Sequence, residues 1–114
     1  MARGISVHVV DVTRGLPAAG MRVEIFTLEP ARVRIAAGRL NATGALETEV
    51  REIGVGTYEA VFHVGDYYRT LGLTLPEPPF LEEVPFRFGI ADSSQHYHLP
   101  LKLSPWGFSL FRGS

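Results

Sequence analysis

Apolar and polar residues alternate at every second position along most of the chain, the pattern of half-buried β-strands. Ile5, Val7 and Val9 fall on one face of a first strand, and Ser6, His8 and Val10 on the other. Residues 14–20 carry Gly15, Pro17 and Gly20, which end that strand in a turn. Alternation resumes over residues 21–28, and beyond Pro30 a third strand is predicted over 33–37. Asn41-Ala42-Thr43-Gly44 reads as a turn into a short strand over 46–50. Residues 57–64 alternate most cleanly: Tyr58, Ala60 and Phe62 face one way, and Thr57, Glu59, Val61 and His63 the other. That second face, with Glu59 and His63, is expected on the solvent side. Tyr67, Tyr68 and Leu71 have helix-like spacing and predict one short helix within 65–72. The proline-rich run 75–79 predicts extended loop. Residues 84–90, 96–104 and 106–111 complete about eight strands, which predicts an all-β Greek-key β-sandwich. No repeat or linker interrupts it, so a single domain over 1–114 is expected.

Composition narrows the function classes. The chain has 114 residues, 46% hydrophobic and 20% charged, a globular profile rather than a disordered one. A formal net charge of −1 gives no electrostatic footprint for nucleic acid or an anionic membrane. The absence of cysteine excludes disulfides, a thiolate nucleophile and Cys-based metal sites. No apolar run reaches the roughly 20 residues of a membrane span, and no secretory leader is read at the start. A cytoplasmic protein is expected.

The strand over 96–104 carries the most chemistry. Tyr97, Leu99, Leu101 and Leu103 make an apolar face for the core, while His96, His98, Pro100 and Lys102 face outward. The His-Tyr-His spacing sets two imidazoles on one side, roughly 6–7 Å apart along the strand. His8 also faces away from the core. An imidazole with a pKa near 6.5 can take a proton from water at neutral pH and return it to a leaving nitrogen. Three imidazoles would also suit a zinc ion with an open position. No supporting carboxylate sits on the same strand, so no metal is expected. Trp106, Phe108, Leu110 and Phe111 are too many large apolar groups for one face of a terminal strand, and some of them are expected to meet another subunit.

The segment from His96-Tyr97-His98 through Ser104-Pro105-Trp106 to Phe111-Arg112-Gly113-Ser114 resembles the C-terminal signature of transthyretin-like 5-hydroxyisourate hydrolases. Members of that family end in tyrosine-arginine-glycine-serine. Val7-His8-Val9-Val10-Asp11, with Gly15-Leu16-Pro17-Ala18, resembles the family's N-terminal signature. Gly56-Thr57-Tyr58 and Phe62-His63-Val64-Gly65-Asp66-Tyr67-Tyr68 resemble its middle. The hormone carrier of the same fold lacks the histidine pair and the terminal tetrapeptide. The resemblance implies hydrolysis of an amide bond in the six-membered ring of 5-hydroxyisourate, in purine degradation, without a cofactor. It also implies a homotetramer, a dimer of dimers, whose central channel holds the active sites. By position it implies His8, His98 and Ser114 as catalytic residues, with His96, Arg112, Phe111 and position 45 around the substrate.

Two positions depart from the family. Its catalytic arginine follows an aspartate and a glycine, and here Asn41-Ala42-Thr43-Gly44-Ala45 places Ala45 there. Removing an arginine aimed at a developing oxyanion costs on the order of 3 kcal/mol. Arg39, Arg51 or Lys102 can restore the charge; strand parity places Lys102 on the face of His98. The alternative is a non-catalytic member that binds a small ligand in the same channel. Phe111 replaces the family's tyrosine, and together with Ala45 it predicts a roomier, more apolar site suited to an N-methylated hydroxyisourate.

Overall fold

The computed structural model describes residues 3–113. Among them the chain forms eight strands and one helix: β1 (Gly4–Asp11), β2 (Leu16–Pro17), β3 (Arg22–Thr27), β4 (Val33–Arg39), β5 (Gly56–His63), α1 (Val64–Thr70), β6 (Glu83–Ile90), β7 (His96–Ser104) and β8 (Gly107–Leu110). They lie in two four-stranded sheets, ordered β2-β1-β7-β8 and β4-β3-β5-β6. The all-β sandwich expected from the alternation is the observed fold. Its core is built by the inward positions of both sheets: Ile5, Val7, Val9, Leu99, Leu101 and Leu103 against Val23, Ile25, Ala60 and Phe62. Each large apolar side chain so buried contributes roughly 1.5–3 kcal/mol.

The pairing that matters most for function is β1 with β7. They run parallel from Gly4 opposite His96 to Asp11 opposite Leu103. First and seventh strands therefore share one register, and their outward positions form common rows. The end of β1 is pinned by a buried carboxylate. Asp11 accepts hydrogen bonds from Tyr67 Oη at 2.9 Å, Tyr68 Oη at 3.0 Å and Arg14 Nε at 3.0 Å. Burial alone would raise the Asp11 pKa, but these donors outweigh it and hold the carboxyl below its ordinary value. Burial, and then donation to Asp11, pushes Tyr68 well above the ordinary tyrosine range. The helix is thus tied to the sheet that carries the histidines.

Two expectations are corrected. Residues 46–50 do not form a strand. They run beside β1 through isolated bridges, Ala45 opposite His8 and Val50 opposite Ile5, whose registers differ by two residues. That slip breaks the ladder. The second correction concerns Glu59 and His63. Glu59 is 4% exposed, paired with Arg32 and with Arg87 Nε at 2.9 Å. His63 Nε2 donates to Glu24 Oε1 at 2.7 Å. Both residues face outward, as alternation requires, but Arg87 and Glu24 from neighbouring strands and Arg32 from the loop before β4 cover them.

Candidate functional site

Outward positions of β1 and β7 lie in rows. Ser6 is opposite His98, His8 opposite Pro100, and Val10 opposite Lys102. On the far side of β7, Lys102 pairs with Ser109 and His98 bridges to Gly113. The same register places Phe111 opposite Pro100. On the far side of β1, Ala45 bridges to His8. One face therefore gathers Ala45, His8, Ser6, His96, His98, Phe111 and Gly113, drawn from four separate stretches of sequence.

Each histidine is held by a specific partner. Ser6 Oγ lies 2.7 Å from His96 Nε2 and 2.7 Å from His98 Nδ1. His8 Nε2 donates to the carbonyl oxygen of Thr43 at 2.7 Å. That carbonyl is presented by a tight turn organised by Asn41. Asn41 Oδ1 accepts from the backbone N–H of Thr43 at 3.0 Å and of Ala45 at 3.0 Å. Gly44 closes the turn at φ +82°, and a Cβ there would stand 2.6 Å from the Val9 carbonyl oxygen. At the other edge the Gly113 N–H donates to the His98 carbonyl oxygen at 2.8 Å. A Cβ on Gly113 would come within 2.8 Å of His98 Cδ2, so the chain packs a bare backbone against the ring.

His98 is half-buried, and burial is the main cause that lowers its pKa below the ordinary histidine value. The nearby imidazoles of His8 and His96 lower it further. Both causes favour the uncharged form of the His98 imidazole. Among the described residues no group of three or more His, Cys, Asp or Glu side chains is arranged to hold a metal ion.

The remaining candidates divide clearly. Lys102 is exposed and shares the outward face, but four residues separate it from His98, about 13 Å along the strand. Arg51 lines a shallow depression of about 190 Å³ together with Ser6, His96, Arg3 and Thr48, and pairs with Glu49 at 2.8 Å. Arg39 lies on the opposite sheet, beside Arg22, and donates to the Gly20 carbonyl oxygen at 3.2 Å. It is on the sheet opposite His8, His96 and His98. Arg112 is also turned away. Its guanidinium stacks 4.1 Å from the centroid of the core-facing Tyr97 ring and donates to Gln95 Oε1 at 3.0 Å. Ser114 lies outside the described residues. Ser6 is the residue that sequence reasoning missed; its outward position beside His8 was visible, but its place between two histidines depends on the parallel register with β7.

The family model described as HIUase/Transthyretin family matches residues 5–113. The chain is 47% identical over 114 residues to a Rhizobium meliloti protein named 5-hydroxyisourate hydrolase 2, covering 96% of this chain and 95% of that one. Among solved structures it is similar to (S)-allantoin synthase, with TM-score 0.91 and 37% identity, covering 99% of this chain and 44% of that longer one. It is also similar to sea bream transthyretin in complex with thyroxine, with TM-score 0.85 and 25% identity, covering 96% of this chain and 94% of that one. A match that runs through both histidine strands and nearly the whole sandwich places the chain in the HIUase/Transthyretin family.

Proposed function

We propose that the protein is a cyclic-amide hydrolase that opens the six-membered ring of 5-hydroxyisourate, or of an N-methylated analogue, in purine degradation. The observation that carries this reading is the convergence of His8 and His98 on one outward face, each ring fixed by its own hydrogen bond. Relatives named 5-hydroxyisourate hydrolase support the same reaction. Hydrolysis adds water across a ring amide: a C–O bond forms, the C–N bond breaks, and the water proton travels to the departing nitrogen. Of the two imidazoles, one takes that proton and returns it, and the other orients the reacting groups; an uncharged His98 suits either role. No cofactor is needed for this chemistry. The family resemblance adds Ser114 to these as a catalytic residue, and in this reading His96 and Phe111 border the substrate.

The active cleft in this reading is completed by assembly into a homotetramer, a dimer of dimers. Trp106 is 63% exposed, Phe108 46% and Phe111 51%, and a single small chain rarely leaves such a group of aromatic rings in water. Ala45 removes a large cation from beside His8, and Phe111 adds apolar surface in the same row. Both changes favour a substrate with methyl groups on its nitrogens.

The test oxidises urate and trimethylurate in situ and follows decay of each unstable product with and without the protein. Accelerated decay of both is expected, with the higher kcat/KM for the methylated compound. The reverse ranking removes the methylated substrate. No acceleration of either removes the hydrolase reading in favour of a ligand-binding member, the reading that the replacement of the arginine by Ala45 would then support.

A further inference from the structure

The proposed reaction leaves open which imidazole handles the water proton, and Ser6 supplies the answer. Its Oγ stands 2.7 Å from His96 Nε2 and 2.7 Å from His98 Nδ1. A serine hydroxyl has one proton to give and two lone pairs to receive with, so the two imidazoles it touches are not independent. The other nitrogen of His96, Nδ1, is buried with no hydrogen-bond partner among the described residues. A buried N–H without an acceptor is rarer in native proteins than a buried lone pair without a donor. In its neutral form His96 therefore carries its proton on Nε2 and donates it to Ser6 Oγ. The Ser6 proton is then free to be donated to His98 Nδ1, which leaves the His98 proton on Nε2. His8 is fixed the other way round. Its Nε2 faces a carbonyl oxygen, which only accepts, so in the neutral ring the lone pair lies on Nδ1.

We infer that Ser6 is a positioning residue: relaying a hydrogen bond from His96, it holds His98 with its proton on Nε2, as a neutral donor to the developing oxyanion, and leaves His8 as the base. This rests on the hydrolase reading above. The protons balance. Nδ1 of His8 takes the proton of the attacking water and returns it to the ring nitrogen as the C–N bond breaks, while His98 keeps its own. A neutral N–H aimed at the oxyanion performs part of the role of the arginine that Ala45 replaces. Removing such a donor from an acyl-transfer site costs about 10²–10³-fold in rate, which sets the ceiling for any loss at Ser6.

The titratable groups that act on His98 are His8 on β1 and His96 on its own strand face; Lys102 stands farther along that face, and Glu49 and Arg51 border Ser6 and His96. The test therefore reads the tautomer directly. Imidazole ¹⁵N spectra and steady-state kinetics against pH are recorded for the wild type, Ser6→Ala and Ser6→Thr, with the remote His63 signal reporting the fold. The wild type is expected to show His98 protonated at Nε2 and bare at Nδ1. Ser6→Ala is expected to show mixed tautomers, with kcat down about tenfold, KM nearly unchanged and a shifted acid limb. Ser6→Thr, which keeps the hydroxyl, restores the wild-type tautomer and most of kcat. A wild-type His98 protonated at Nδ1, or a Ser6→Ala protein with unchanged tautomer and pH profile, overturns the inference. An Nε2-protonated His98 in a protein that fails to hasten hydroxyisourate decay supports the relay and overturns the hydrolase reading.

Discussion

The two outer faces of the sandwich carry the same kinds of residue and do opposite things with them. On the β4-β3-β5-β6 sheet, His63 donates to Glu24, which also receives Arg34, and Glu59 lies between Arg32 and Arg87. Both of these acidic groups are matched by basic neighbours. On the β2-β1-β7-β8 sheet, His8 and His98 meet a carbonyl and a hydroxyl, with no carboxylate partner among the described residues. A carboxylate beside an imidazole favours its charged form, whereas burial beside other imidazoles favours the neutral one. His63 is held in a hydrogen bond to the Glu24 carboxylate, whereas His98 has no carboxylate beside it among the described residues. Strand alternation delivers a histidine to an outer face, and the neighbours in the row decide whether it is structural or chemical.

Without replacing a histidine, that contrast can be broken at Gly113. Gly113→Ala places a Cβ within 2.8 Å of the His98 ring, which must move. A displacement of order 1 Å costs about 10²-fold in kcat, with KM little changed, measured by decay of hydroxyisourate. A kcat within twofold of the parent would mean that the position of this ring does not matter.

A smaller effect sharpens the question of charge. Arg51 borders the depression shared with Ser6 and His96, while Lys102 stands about 13 Å along the strand from His98. Arg51→Ala is expected to raise KM about tenfold, and Lys102→Ala to change it by less than threefold, since a closer charge interacts more strongly. The opposite order would assign the substrate's cation to Lys102, as strand parity alone suggests.

Much of the fold is legible in the chain because alternation is a local property. Residues 57–64 and 96–104 announce their inward faces without any knowledge of partners, and the inward positions do form the core. Pairing is not local, and the misreadings follow from that. Residues 46–50 follow a turn and are bounded by Leu46 and Val50, which suggests a strand, yet the two-residue slip between the Ala45 and Val50 bridges denies them a ladder. Glu59 and His63 read as solvated because the arginines and glutamate that cover them come from other parts of the chain. Arg112 belongs to the family's terminal signature, but strand parity and the Tyr97 ring turn it from the histidine face. His8 and His98 were legible from parity; Ser6 became meaningful only once β1 and β7 were in register. A hydroxyl carries no marker of function until its two neighbours are known.

The claim that the two faces differ in chemistry is tested most directly by His98→Gln and His63→Gln, assayed side by side with the wild type on freshly generated 5-hydroxyisourate. Loss of a catalytic imidazole costs about 10²–10⁴-fold in rate, so His98→Gln should lose kcat/KM on that scale while His63→Gln stays within about threefold of the parent. Equal losses from both substitutions, or a fully active His98→Gln protein, would contradict the account.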